Sequence, residues 1–373
     1  MLVRALALAL CATAWLVTPA SAANAAAGVA ADPPVSTQRP VVEGSAVVGR
    51  VLRSGRGGWE PSDVTVAFQW LRDGKAIPGA TARGYRIDPA DLRHRLSVRL
   101  TATSADGGTG TATSEPTERV VRGRLVNRRL PGVIGTKRFT HTVEASLGRW
   151  SQTPGRATYQ WLRGNRPIPG ATHRRYRYVP EDVGRRVRVR VEVRAAGYHP
   201  ATAISPRAEQ VAHRVDVRRT VTYHVETRGR ITTSVREFAR QAQQTFSDPR
   251  GWRGKGVRFV RVERRGSFTL VLAEASRVPG FSSGCSSEWS CRVGRFVIIN
   301  QTRWKHASPA WNAAKGALRD YRHMVVNHET GHWLGRGHVG CPGKGRLAPV
   351  MMQQSKGLGG CRFNPWPTLG ELR

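Results

Sequence analysis

Cysteine is missing from residues 23–284 of this 373-residue chain. Whatever folds there must hold by packing, without disulfides or thiolate metal sites. Beyond Ala5–Val17 no apolar run approaches the length of a transmembrane helix, which excludes a membrane bundle. Acidic residues are scarce, 25 against 60 basic ones, for a net charge of +35. Lysine is scarcer still: seven of the 60 basic residues, leaving 53 arginines, a bias that often reflects GC-rich coding. Residues 26–211 carry 31 basic and 15 acidic residues, and residues 212–373 carry 28 and 10. That spread excludes a basic tail or a single basic stripe, and it admits an anionic partner without naming one. Glycine (40) and proline (22) are plentiful, with 39% hydrophobic residues. Collagen and coiled coil are excluded, and a β-rich globular chain of two or three domains remains.

The N-terminus reads as a secretion signal. Arg4 supplies the positive end, Ala5–Val17 the apolar run, and Ala20-Ser21-Ala22 a cleavage site, with Ala23-Asn24-Ala25 as the second choice. Residues 1–22 are thus expected to be removed, residues 23–39 to form a linker, and the chain to be secreted, either free or associated with the cell wall. Setting Cys11 aside leaves Cys285, Cys291, Cys341 and Cys361. An even count in a secreted chain points to two disulfides, and sequence proximity favours Cys285–Cys291 and Cys341–Cys361. A metal cluster is the rival reading, weakened by the lack of any C-x-x-C pair.

The middle of the chain repeats at an offset of 91. Phe68-Gln69-Trp70-Leu71-Arg72 matches Tyr159-Gln160-Trp161-Leu162-Arg163, and Ile77–Thr81 matches Ile168–Thr172. Tyr85 matches Tyr176, Asp91 matches Asp182, and Trp59 matches Trp150. Tandem copies of one domain follow, residues 40–121 and 122–211. Val187, Val189, Val191 and Val193 alternate with charged residues, the period of a strand with one dry face. Asp73-Gly74 and Gly164-Asn165 suit tight hairpin turns. Each copy reads as a small all-β sandwich with Trp70 or Trp161 as core anchor. The pattern W-L-R-D-G…I-x-G-A-T…Y…D-x-G resembles bacterial immunoglobulin-like repeats, which implies spacers or surface-binding modules. The first copy departs at Asp91-Leu92-Arg93, where the second has Asp182-Val183-Gly184.

Residues 212–373 read as α/β. Thr220–Glu226, Val257–Val262, Phe268–Leu272 and Phe296–Asn300 are expected strands, and Ile231–Phe246 an amphipathic helix. A second helix, beginning near Ser308-Pro309 or Asn312, carries Leu318, Tyr321, Val325, His328 and His332 on one face. The segment His328-Glu329-Thr330-Gly331-His332-Trp333-Leu334-Gly335-Arg336-Gly337-His338 fits H-E-x-x-H-x-x-G-x-x-H without a mismatch. Histidines at i and i+4 share a helical face and can reach one ion. Gly335 lets the chain turn sharply so that His338 can return as third ligand. Three protein ligands leave a position for water, the catalytic arrangement of zinc, and Glu329 stands where it can reach that water.

This segment resembles the metzincin metallopeptidases. Ala348-Pro349-Val350-Met351-Met352 follows at the distance of their Met-containing turn. The resemblance implies His328, His332 and His338 as Zn2+ ligands, Glu329 as general base and acid, and Met351, or else Met352, as the floor of the site. It also implies a peptide substrate pairing with one edge of the sheet. The wider pattern NHETGHWLGRGH…C…PVMMQQ…C…NPWP is similar to a secreted bacterial metzincin-like family classed as a domain of unknown function. Some metzincins carry a tyrosine two residues after the Met; here Gln353, or Gln354 counted from Met352, takes that place. The expectation is a secreted zinc endopeptidase acting on proteins or peptides, with an anionic cell-wall polymer as a further partner and no specific nucleic acid. The alternative is a surface-binding protein whose zinc site does not turn over.

Overall fold

In the computed structural model the described residues are 32–373, so the expected signal segment and part of the linker lie outside them. The chain divides into two compact units, the first ending at Gly123 and the second running from Arg124 to Arg373.

The first unit is a β-sandwich. Val64–Arg72 pairs antiparallel with Leu96–Ser104 along its whole length. Lys75–Ala76 and Thr109–Thr113 complete a four-stranded sheet. Val51–Ser54 joins Val42–Glu43 and Gly84–Arg86 in a three-stranded sheet. Trp70, fully buried, stacks on Tyr85 of the other sheet at 5.6 Å and so joins the two layers without a disulfide. The second sandwich opens the second unit and repeats these elements 91 residues on. Arg156–Arg163 pairs with Val187–Arg194, and Thr142–Ala145 with Arg175–Arg177. Trp161 stacks on Tyr176 at 5.4 Å. Val187, Val189, Val191 and Val193 are all buried, as their alternation requires.

Each sandwich also buries one acid that the repeat marked but did not explain. The Asp91 carboxylate accepts from Arg72 Nε (2.7 Å), the Tyr85 hydroxyl (2.9 Å) and the Asp88 amide (2.8 Å). Asp182 accepts from Arg163 Nε (2.8 Å), Tyr176 (2.8 Å) and the Val179 amide (2.9 Å). Both are wholly buried, and three donors offset the cost of burying the charge. The missing glycine of the first copy does not change the backbone: Arg93 and Gly184 both sit at φ 74°.

The remainder of the second unit is a mixed α/β layer. Its strands are β1 (Arg219–Arg228), β2 (Val257–Arg261), β3 (Phe268–Ala273), β4 (Cys291–Val293) and β5 (Phe296–Asn300). They lie in the order β2-β1-β3-β5-β4, all parallel except β4, which runs antiparallel along one edge. Every residue of β3 is buried, as a central strand covered on both faces should be. Helix α1 (Val235–Ser247) connects β1 to β2, and α2 (Gln301–His306), α3 (Pro309–Ala313) and α4 (Leu318–Trp333) follow β5. Tyr223, Phe246, Trp252, Phe268, Trp304 and Met324 belong to the core beneath these helices.

Two helix starts differ from the sequence reading. α1 begins at Val235 because the Ser234 side chain caps Glu237 N (3.1 Å), while Thr232 N is held by Gln301 Oε1 (2.9 Å) instead of entering a helix. Ser308 does cap a helix, accepting from Trp311 N (3.3 Å), but that helix is the short α3. Lys315 (φ 55°) and Gly316 then break the chain, and a Cβ on Gly316 would lie 2.3 Å from Trp311 Nε1. The helix that carries His328 and His332 therefore starts afresh at Leu318.

Candidate metal centre

Helix α4 presents His328, Glu329 and His332 to a cavity of about 630 Å3. After Trp333 the chain turns through Gly335 at φ 86°, with Gly335 N donating to His332 O (3.0 Å) and Arg336 N to Gly331 O (2.9 Å). That turn returns His338 to the helix. The three Nε2 atoms converge: His328–His332 3.2 Å, His328–His338 3.3 Å and His332–His338 3.0 Å.

Two of these rings have their tautomer fixed by backbone. His328 Nδ1 lies 2.8 Å from Val350 O, and His332 Nδ1 lies 2.8 Å from Arg336 O. A carbonyl only accepts, so each Nδ1 carries the hydrogen and each Nε2 presents a lone pair. Facing lone pairs at this distance repel unless a cation lies between them. Nitrogens about 2.0–2.1 Å from one tetrahedral ion stand about 3.3–3.4 Å from each other, close to the spacing seen. The donor set therefore fits a zinc-like ion, and these are the three residues that could hold it. Burial pushes His328 down to about 3 and also lowers His332 and His338, which keeps the imidazoles in the neutral, ligating form.

Glu329 is 6% exposed, and burial pushes its carboxyl up to about 8 against the pull of Arg292. Among the described residues no group hydrogen-bonds that carboxylate. Arg292 is on edge strand β4 and donates to His332 O (2.7 Å). The Cys285–Cys291 disulfide closes the loop before β4, and Glu288, Trp289 and Arg292 line this wall of the cavity. Gln353, Ser355 and Lys356 also line the cavity.

Met351 lies beneath the helix and is 1% exposed. A Cβ on Gly331 would be 2.2 Å from its Sδ and 2.8 Å from Trp252 Cζ2, so only glycine lets the Met turn come this close. Met352 packs elsewhere, with Ala348 and Cys361. The turn is fastened by a residue that no sequence motif marks. Glu371 accepts from Met351 N (2.8 Å), Val350 N (3.1 Å) and Thr368 N (2.7 Å). Gln354 is wholly buried and braces the same segment through Pro349 O (3.1 Å) and Asn364 O (2.8 Å). Of the two glutamines that could take the tyrosine place, only Gln353 is exposed on the cleft. Cys341–Cys361 encloses the whole Met turn.

Among the described residues no helix is long and apolar enough to cross a membrane. No curated protein matches this chain. Among solved structures, the tandem Ig repeats of Dlar are 18% identical, covering 48% of this chain and 96% of theirs, with a TM-score of 0.15. The ICAM-5 D1–D4 ectodomain fragment is 15% identical over 45% of this chain and 52% of its own, TM-score 0.22. The amphioxus IgVJ-C2 molecule is 11% identical over 40% and 89%, TM-score 0.21. Scores this low carry no argument, and the Ig-like reading rests on the paired sheets of each sandwich. Residues 191–364 match the family model described as protein of unknown function (DUF3152), from the end of the second sandwich through the Met turn. The C-terminal part of this chain is thus a DUF3152 domain, preceded by immunoglobulin-like domains and carrying a histidine triad, His328 buried and His338 exposed, that could bind a metal ion.

Proposed function

We propose that the C-terminal domain is a zinc-dependent peptide hydrolase of secreted type, with the sandwiches as spacer or surface-binding modules. One observation carries this reading: three histidine Nε2 atoms meet at 3.0–3.3 Å beside a buried glutamate that no described residue hydrogen-bonds. When bound there, zinc would supply Lewis acidity toward a water and a carbonyl oxygen. Glu329 then accepts the proton of the attacking water and returns it to the leaving amine; its raised pKa suits both halves of that exchange. Strand β4 pairs with β5 on one side only, so its other edge offers backbone groups to an extended peptide laid along the cavity. Trp289 and Arg292 would meet the substrate's side chains on that wall. The two disulfides agree with an extracellular setting.

The test joins metal analysis to cleavage. The purified chain and its Glu329→Ala variant should each hold about one zinc. Incubated with a mixed peptide library read by mass spectrometry, only the parent should cleave. Zinc in both chains with cleavage by neither would replace the enzyme with a zinc-holding binding protein.

A further inference from the structure

The repeat supplies an internal control for surface charge. In the first sandwich a depression of about 750 Å3 beside the Asp73-Gly74 turn is lined by Arg39, Asp73, Arg95 and Glu115, two charges of each sign. They are matched locally: Arg39 pairs with Glu115 at 2.7 Å, and Asp73 with His94 at 2.5 Å. The second sandwich has a depression of about 760 Å3 at the equivalent turn. Its lining holds Arg163, Arg166, Arg185, Arg186, Arg188 and Arg207 and no acid. Position by position at the 91-residue offset, Asp73 has become Gly164, His94 Arg185, Ser97 Arg188, Glu115 Pro206 and Pro116 Arg207. Both acids are gone, three positions have gained arginine, and one has lost it, Arg39 having become Leu130. A chain-wide arginine bias does not explain this, because the two copies share one chain and one fold.

Structure accounts for only two of the six. Arg163 holds the buried Asp182, and Arg188 donates to Ser205 O (2.9 Å) and Asn165 Oδ1 (3.3 Å). Arg166, Arg185, Arg186 and Arg207 are exposed, with no acidic partner among the described residues. Four unpaired guanidiniums around one depression repel one another, a cost that an anion would remove. They come from three separate segments of the chain, so one small anion would leave most of them unanswered. Arginine's planar fork suits phosphate oxygens, and even the equivalent of Lys75 is arginine here, Arg166.

We propose that this face of the second sandwich binds a linear polyanion carrying phosphate groups along its length. The inference is independent of the peptidase reading, since none of these residues belongs to the metal centre.

Long-chain inorganic polyphosphate is the probe, titrated against the full mature chain over a salt series. The patch variant is Arg166→Gln, Arg185→Gln, Arg186→Gln and Arg207→Gln together. The control removes the same charge from exposed arginines elsewhere: Arg53→Gln, Arg99→Gln, Arg258→Gln and Arg264→Gln. At physiological salt the patch variant should bind about 30-fold more weakly or worse, with the slope of log K against log salt reduced by about 3; the control should lose less than about 3-fold. Gly164→Asp places an acid at φ 62°, where Asp73 already sits at 46°, and should weaken binding by about 3- to 10-fold alone. Equal loss in the two quadruple variants would reduce the effect to net charge and overturn the proposal. Equal binding of poly-glutamate would overturn the assignment to phosphate.

Discussion

The sandwiches and the metal-centre domain each bury a carboxylate, and they treat it in opposite ways. Asp91 and Asp182 have no exposed surface and receive three hydrogen bonds apiece, one from an arginine that also pairs their charge. Glu329 is buried almost as deeply and receives none from the described residues. In the first case the acid ties a turn to the facing sheet. In the second the cost of burial is left standing and pushes the carboxyl up to about 8. Burial alone therefore does not distinguish a brace from a reactive group; the donor count does.

The largest test of that contrast makes the same kind of change in both places. Asp182→Ala leaves Arg163, Tyr176 and the Val179 amide unpaired, and should lower unfolding free energy by about 3–5 kcal/mol in a denaturant titration. Glu329→Gln should leave stability unchanged or raise it, while cutting peptide hydrolysis by about 10²–10⁴-fold. A Glu329→Gln variant as unstable as Asp182→Ala would erase the distinction.

Acid should separate the two units next. His323 is buried against Trp366 at 4.4 Å, and its Nδ1 meets Thr245 Oγ1 at 2.9 Å. Burial, with Arg319 and Arg250 nearby and Asp248 opposing them, pushes it down from 6.5 to about 4. The unfolded chain thus binds a proton that the folded chain refuses between those values. Stability from this residue is complete above pH 6.5 and is lost as pH falls toward 4, by at most about 1.4 kcal/mol per pH unit. The one histidine of residues 32–123, His94, is not buried. Thermal scans from pH 7 to pH 4.5 should show the second unit losing stability first, and His323→Asn should flatten that slope.

The smallest effect compares the two copies at one backbone angle. Arg93→Gly should gain up to about 1 kcal/mol by relieving a left-handed arginine, and Gly184→Ala should lose about as much. A Cβ on Gly184 meets nothing within 4 Å, so its penalty is conformational alone. Melting temperatures of the two variants should move in opposite directions.

These contrasts also separate what local sequence determines from what tertiary packing determines. The strand Phe296–Asn300 agrees to the residue, because it is a dense apolar run closed by an asparagine that caps the next helix. Convergence of the three histidines follows from local helix geometry and one glycine, which is why spacing announced it. The start of α4 did not follow, since the break at Gly316 depends on how Trp311 packs. The use of Gly331 and Glu371 was hidden for the same reason: both act on Met351, one across the helix face and one from the far side of the Met turn. Asp91 and Asp182 were marked by the repeat, but their work is visible only once Arg72 and Arg163 are seen to come round from a neighbouring strand.

The position of the disulfides has its own consequence. One closes a wall of the metal-centre cavity and the other encloses the Met turn, while neither sandwich contains a cysteine. Among the described residues a reductant therefore finds targets only in the α/β part of the second unit. Reduced protein would keep its repeats folded while the cleft loosened, so the two parts of this chain can fail separately.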